Sequence, residues 1–342
     1  MKRFIDLFAG IGGFRTGFEQ NGFECVFSSE KNTYCQEVYK NNFGEMPFGD
    51  ITQIDPKDIP DFEVLLGGFP CQPFSISGKK QGFNDTRGTL FFDVCRIIQE
   101  KQPKVVVLEN VKHLIHHDKK RTLKTILKSL EELGYNVAQK ILNAKDFGLP
   151  QNRERIFIIG SKKGYFDFDK LETKPTPILK DFLDKKGDFE YVNKSEYTLI
   201  EHPKTQPTGL RFVGYRNKNM WKTGVRPNTE HLSRVHRQPN RIYSAEGVHP
   251  TIPSQETSGR FFIYLPDADK VRKLTINECY RIMGFPANFK KHERVGEQYK
   301  QIGNSVAISV IDAVSKQIMK QGLLNDKSQR EVVGDLRALL YN

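Results

Sequence analysis

The first thirty residues constrain the fold of this chain more than any other stretch. Residues 4–8, Phe-Ile-Asp-Leu-Phe, read as a strand, and Ala9-Gly10-Ile11-Gly12-Gly13 follows as a glycine-rich turn. Residues 14–21 read as a helix stopped by Gly22, and residues 25–29 as a second strand ending at Glu30. A strand, a glycine loop, a helix, a strand and an acid, in that order, open a dinucleotide-type α/β fold. Glu30 lies 20 residues after Gly10, the offset at which an acid meets ribose hydroxyls. The spacing is Gly-x-Gly-Gly and lacks the third glycine of the pyrophosphate fingerprint. With these flanks the loop is read as a nucleoside-cofactor site rather than a structural turn.

The same rhythm continues. Residues 31–42 can form a helix, and Asp50 follows a turn, where it either caps the next segment or touches a cofactor base. Val64-Leu65-Leu66 is a buried strand that runs into Gly67-Gly68-Phe69-Pro70-Cys71-Gln72-Pro73. Two glycines and two prolines oppose both a longer strand and an immediate helix. Cys71 therefore belongs on a rigid loop at the carboxyl end of a strand, where open α/β sheets bind ligands. Residues 75–86 read as a polar loop. Leu90, Phe91, Val94, Ile97 and Ile98 then mark an amphipathic helix. Val105-Val106-Val107-Leu108 is a parallel-type strand that ends at Glu109. Leu123, Ile126, Leu127, Leu130 and Leu133 mark another helix, capped by Gly134. Residues 135–142 and 155–159 read as strands. Between them Arg153 and Arg155 sit at i and i+2, on one side of an extended segment.

From about Ser161 the α/β rhythm breaks. Eight prolines between Pro175 and Pro253 punctuate a region of weak periodicity, read as a second, irregular domain. Order returns with a short helix at 274–283. A last helix starts at Gly303-Asn304-Ser305-Val306, with Val306, Val310, Val314 and Ile318 on one face. Residues 202–241 hold nine Lys or Arg, among them Arg237 and Arg241, against one acid, Glu230. That is most of the net charge of +12. Phe212, Tyr215 and Trp221 lie among them, so the cluster reads as a nucleic-acid surface with aromatics for stacking or wedging. The five cysteines are scattered without a CxxC pair, which argues against a disulfide framework or a cysteine-based zinc site and for a reducing cytoplasm. No apolar run approaches the roughly 18–20 residues that span a bilayer, and no signal peptide is read at the start.

Six stretches in order now carry a family resemblance. They are residues 6–14 around the glycine loop; Gly67, Phe69, Pro70, Cys71 and Gln72; Arg87-Gly88-Thr89-Leu90-Phe91; Glu109-Asn110-Val111; Gln151-Asn152-Arg153-Glu154-Arg155; and, after Arg241-Ile242-Tyr243-Ser244 and Pro250-Thr251, Gln301-Ile302-Gly303-Asn304-Ser305-Val306. The chain resembles the DNA (cytosine-5)-methyltransferases of bacterial restriction–modification systems over nearly its whole length. The resemblance implies the S-adenosylmethionine-dependent methyltransferase fold, a Rossmann-like, mostly parallel sheet with helices on both faces, plus a small irregular target-recognition domain. The expected division is residues 1–175, 176–285 and a segment 286–342 that returns to the catalytic domain. The implied activity flips a cytosine from double-stranded DNA and moves a methyl group from S-adenosylmethionine to carbon 5. The protein is expected to act as a cytoplasmic monomer, with a restriction endonuclease acting on the same site without stable binding.

By that resemblance Cys71 is the nucleophile toward carbon 6, because carbon 5 of cytosine is too poor a nucleophile alone. Glu109 serves ring nitrogen 3, Arg155 the oxygen 2, and Arg153 shapes the same pocket. Phe8, Gly10, Gly12, Glu30, Asp50, Ile51, Pro70, Leu90, Asn304 and Ser305 match cofactor positions, Glu30 for the ribose and Asp50 for the adenine amine. Ser77, on a loop the family uses as a mobile lid, and Gln238 match positions that fill the space a flipped base leaves. Lys79, Arg87, Arg241 and Thr251 are further DNA-side positions, Thr251 as a backbone support of the small domain. One departure stands out: Lys31 occupies the place of a tryptophan that packs on adenine in many members. Three other readings compete. A tRNA cytosine methyltransferase of the same superfamily lacks support, since that subgroup's Cys-Phe-Thr tripeptide is missing. A non-catalytic DNA-binding regulator would not need Cys71, Glu109, Arg153 and Arg155 together. A nicotinamide dehydrogenase rests on the glycine loop alone.

Overall fold

A computed structural model describes residues 1–70, 90–217, 228–254 and 261–325 of the 342-residue chain. Cys71, Ser77, Lys79, Arg87 and Trp221 lie outside the described residues.

The chain opens with strand β1 (Lys2–Leu7), helix α1 (Gly13–Glu19), β2 (Phe23–Ser29), α2 (Thr33–Phe43) and β3 (Val64–Gly67). It continues with α3 (Leu90–Lys101), β4 (Val105–Val111), α4 (Arg121–Glu132), β5 (Asn136–Asn143), β6 (Gln151–Asn152) and β7 (Glu154–Ser161). Six of these strands form one sheet in the order β2-β1-β3-β4-β7-β5. All run parallel except β7, which is antiparallel to both of its neighbours. The mostly parallel sheet read from the sequence is thus present, with one reversed strand.

Burial on both faces explains the near-continuous apolar runs. Phe4, Val64, Leu66, Val105 and Val107 point to one face, where they meet Phe14 and Phe18 of α1 and Val310, Val314 and Ile318 of a later helix. Ile5, Leu7, Leu65, Val106 and Leu108 point to the other, against Ile97 and Ile98 of α3 and Ile126 and Leu130 of α4. Each such fully buried aliphatic side chain is worth about 1.5–3 kcal/mol, so the two layers hold the sheet rigid. β4 runs three residues past the expected end. Its partner β7 carries the ladder on through Glu109↔Phe157, Asn110↔Ile156 and Val111↔Arg155. Glu109 therefore stands on a paired strand, not on a loop.

The region expected to be irregular contains a second sheet. Strands β8 (Tyr197–Leu199), β9 (Phe212–Arg216), β10 (Arg241–Ser244), β11 (His249–Pro250), β12 (Phe262–Leu265) and β13 (Lys270–Lys273) follow, and five of them pair in the order β13-β12-β10-β9-β8. Each has only three to five residues, too short for a period of two to show. Phe212 and Tyr215, read as base-stacking aromatics, are instead buried with Tyr243 and Phe261 on one face of this sheet. The sixth strand, β11, pairs in parallel with β6 and so ties residues 249–250 to the segment that carries Arg153.

Three helices end the described chain: α5 (Ile276–Arg281), α6 (Val295–Asn304) and α7 (Ile308–Lys320). α6 replaces the expected helix start at Gly303: Asn304 is its last residue and Ser305 its C-cap. Gly303 is required there. A β-carbon on it would lie 2.2 Å from the Pro253 carbonyl oxygen, so the last turn of α6 could not approach that backbone segment as closely. The face read from Val306, Val310, Val314 and Ile318 is buried as expected, though α7 begins only at Ile308. No helix among the described residues is long and apolar enough to cross a membrane.

Candidate active site

The chain leaves β1 for β2 on one side and returns to β3 on the other, so the strand order reverses at β1. Ligands bind at such a switch point, outside the carboxyl ends of the strands. A cleft of about 310 Å³ lies there, within the range of small-molecule sites of about 300–1,000 Å³. Phe8, Gly10, Glu30, Pro70, Leu90, Asn304 and Ser305 all line it. β1, β2, β3, α3 and α6 each end or begin at the cleft, which is how residues nearly 300 positions apart meet.

The glycine loop shapes its floor. Gly10 adopts a φ of 56° with nothing within 4 Å of a β-carbon position, a left-handed conformation that glycine takes without strain. Phe8, not a glycine, holds a φ of 57°, and such backbone concentrates at functional sites. Glu30 is fixed by two backbone donors, Gly10 N at 2.8 Å and Asn32 N at 2.7 Å. Its carboxylate is thus oriented before any ligand arrives. Below the loop, burial pushes the Asp6 carboxyl up to about 8, with the Arg15 charge working against it.

Three expected cofactor residues stand away from the cleft lining. Gly12 faces the Phe43 ring, which a β-carbon would strike. Ile51 is buried in the core between the sheet and α3, and Arg96 donates to its carbonyl oxygen at 3.0 Å. Asp50 pairs with Lys31, Nζ to Oδ2 at 2.7 Å, and that contact draws its carboxyl below the usual range. The sequence reading missed Asn32, Cys35 and Gln301, which also line the cleft. Gln301 lay in the matched Gln301–Val306 stretch and could have been taken. Cys35 is not a rival nucleophile: burial, then the Glu30 charge, pushes its thiol up to about 12, and only the thiolate reacts.

Glu109 lines the same cleft from β4 and is buried. Arg155 Nε lies 3.1 Å from Glu109 Oε1. Burial raises the Glu109 carboxyl above its ordinary value, against the opposing charges of Arg155 and Arg153. Asn110 Nδ2 donates to the Phe69 carbonyl at 2.8 Å and thereby pins the loop that leads through Pro70 to Cys71. Arg153 does something different from Arg155. It is buried, and burial pulls its guanidinium down from the usual value. Its NH groups donate to the carbonyls of Ser305 (2.5 Å), Gly303 (2.9 Å) and Ile252 (3.4 Å). Thr251 Oγ1 donates to the Asn152 carbonyl at 2.7 Å. These bonds knot β6, β11 and the end of α6 together behind the cleft. Arg241 and Gln238 lie at the second sheet, Gln238 exposed and Arg241 half-buried.

Comparison with known proteins agrees with this arrangement. Residues 2–320 match the C-5 cytosine-specific DNA methylase family. The chain is 42% identical to the type II methyltransferase M.HhaI of Haemophilus parahaemolyticus over 328 residues, 92% of this chain and 94% of that protein. It is also 42% identical to the type II methyltransferase M.HpaII of Haemophilus parainfluenzae over 330 residues, 93% of this chain and 89% of that one. The crystal structure of the S. pombe Dnmt2 methyltransferase shares the fold, with a TM-score of 0.67 at 18% identity over 94% of this chain and 99% of that one. A small-molecule-sized cleft beside a buried acid at the switch point of the sheet is a site that a group-transfer enzyme can use. This chain belongs to the C-5 cytosine-specific DNA methylase family and is a DNA (cytosine-5)-methyltransferase. The family's methyl donor is S-adenosylmethionine.

Proposed function

We propose that the enzyme flips its target cytosine out of duplex DNA, methylates it through a Cys71 adduct, and protects host DNA in a restriction–modification system. The observation that carries this reading is the single cleft that Glu109 and Pro70, the residue before Cys71, share with Gly10, Glu30, Asn304 and Ser305. The donor set fits S-adenosylmethionine: Glu30 offers a preoriented carboxylate to ribose hydroxyls, and the loop at Gly10 leaves open space beside it. When bound, that group supplies a methyl on a sulfonium, which a nucleophilic carbon can take.

The chain's own residues make carbon 5 nucleophilic. The Cys71 thiolate adds to carbon 6, forming a C–S bond and pushing the ring's electron pair toward carbon 5. Glu109 in its protonated form donates to nitrogen 3, which absorbs the charge that would otherwise build there. Arg155 donates to oxygen 2 while its Nε contact holds Glu109 in place. Arg153 keeps the pocket's rear wall closed. After transfer the carbon 5 proton leaves to a base, and its electron pair expels the thiolate. Ser77 and Gln238 fill the vacated stack; Lys79, Arg87 and Arg241 serve the DNA side; Thr251 holds β11 to β6. Target reading belongs to residues 202–260.

Bisulfite sequencing of plasmid DNA from a host expressing the protein tests the whole reading. Protected cytosines in one short recurring sequence are expected; plasmid without any protected cytosine refutes it. Lys31 gives a narrower test. If Asp50 takes the adenine amine, its pairing with Lys31 competes with that contact. Lys31→Trp is expected to free Asp50 and add an aromatic face, tightening S-adenosylmethionine binding by about fivefold, from roughly 1 kcal/mol of stacking. Equal affinity of the two proteins in calorimetric titration would show the departure to be harmless.

A further inference from the structure

Residues 228–240 carry exposed Arg234, Arg237 and Gln238, and of these thirteen residues only His236 is buried. That side chain is its one buried anchor, beside a polar contact from Gln206 Nε2 to Ser233 Oγ at 3.3 Å. The His236 ring stacks on Tyr215 of β9, with centroids 4.2 Å apart and planes at 15°. Phe212, on the same strand, lies 5.7 Å away. The ring also reaches back six residues, where Nε2 donates to the Glu230 carbonyl at 2.7 Å. A carbonyl only accepts, so the proton sits on Nε2. Arg241 Nε donates to the His236 carbonyl at 2.9 Å, which ties the same residue's backbone to the start of β10. One residue thus joins the stretch's beginning, its end and the sheet beneath it.

A histidine suits this place for two reasons. A phenylalanine could stack on Tyr215 but could not close the loop on Glu230. A glutamine could close the loop but would leave the Tyr215 ring uncovered. Neighbouring Arg237 and Gln238 are exposed, while the residue before them is held against the sheet.

We propose that His236 is a positioning residue for target recognition: it locks residues 228–240 on β9 so that Arg237 and Gln238 meet DNA in a fixed register. The inference rests on the reading of residues 202–260 as the target-recognition region. A fixed register matters because a contact whose donor must first be ordered loses that ordering entropy on binding, and a mismatched base is then rejected less sharply.

The test is methylation kinetics on the duplex identified by bisulfite sequencing and on the same duplex with one recognition base changed. His236→Ala is expected to raise KM for the cognate duplex about tenfold and to narrow the discrimination between the duplexes. Turnover at saturating DNA and calorimetric S-adenosylmethionine affinity are expected to stay within about twofold of the parent, which a general loss of structure would not allow. His236→Phe, which keeps the stacked ring but loses the Glu230 contact, is expected to raise KM by less than His236→Ala does. Parent-like KM and discrimination in His236→Ala overturn the proposal, as does His236→Phe behaving like His236→Ala. If His236→Ala does not fold, His236→Phe and His236→Gln decide: each removes one of the two contacts and is expected to raise KM, and parent-like KM in both overturns it. An unaltered protein that methylates no duplex instead refutes the functional reading itself.

Discussion

Cys71→Ser is expected to lose about 10,000-fold or more in single-turnover methyl transfer, and Glu109→Gln about 100-fold to 10,000-fold, with duplex binding retained in both. A serine hydroxyl is almost never ionised near neutral pH, so it cannot replace the thiolate. A glutamine can donate a hydrogen bond to nitrogen 3 but cannot transfer a proton, so part of the effect survives. The pH profile separates the two. Burial holds the Glu109 carboxyl above its ordinary value, and in the proposed mechanism its acid form is the working one. The rate therefore rises as Cys71 ionises with rising pH, and falls again once Glu109 loses its proton. Glu109→Gln has no proton to lose there, so its profile should keep the rising limb and lack the falling one. A Glu109→Gln enzyme with an unchanged falling limb would remove Glu109 from that role, and a Cys71→Ser enzyme with full turnover would remove Cys71.

The parts of the molecule that could be read in advance are those whose cause is local. β1, β3 and β4 are apolar on both faces because both faces are covered, and α4 shows its buried stripe of Leu123, Ile126 and Leu130 at helical spacing. The parts that could not be read depend on distant partners. Arg153 and Arg155 look alike in an extended segment. Yet Arg155 meets a strand neighbour, while Arg153 meets carbonyls 150 and 152 residues further along the chain. α6 escaped notice because it is mostly polar, with Tyr299 and Ile302 as its main apolar anchors. Phe212 and Tyr215 suggested base stacking by their basic neighbours, but a five-stranded sheet needs a core of its own. Gly12 lies in a matched stretch, and Ile51 and Asp50 match cofactor positions outside those stretches, yet Gly12 packs against Phe43, Ile51 is buried in the core, and Asp50 is paired with Lys31.

Glu278→Ala is expected to destabilise the fold by about 3–5 kcal/mol, the cost of stranding one member of a buried ion pair. Arg272 of β13 and Glu278 of α5 are 2% and 0% exposed. Their bidentate contact has N–O distances of 2.8 and 2.7 Å. The same carboxylate accepts from Asp184 N at 2.8 Å and from Thr275 N at 2.7 Å, the latter as one half of the capping box that starts α5. Removing it leaves a buried guanidinium and two backbone donors unpaired at the joint between the second sheet, the 184 segment and α5. Arg272 lies over the Phe189 ring at 4.3 Å and would stay buried without its counter-charge. The cost is therefore one of stranding rather than of lost attraction, and this distinction can be measured. Arg272→Met combined with Glu278→Leu removes both charges while keeping apolar volume, so the double variant should be more stable than Glu278→Leu alone, with a coupling of about 0.5–3 kcal/mol in the double-mutant cycle completed by Arg272→Met. Urea denaturation followed at β-sheet and aromatic signals provides the reading. A Glu278→Ala protein within about 1 kcal/mol of the parent, or a double variant no better than Glu278→Leu alone, would show that solvent or a rearranged side chain satisfies Arg272 and that the joint is held by its apolar contacts instead.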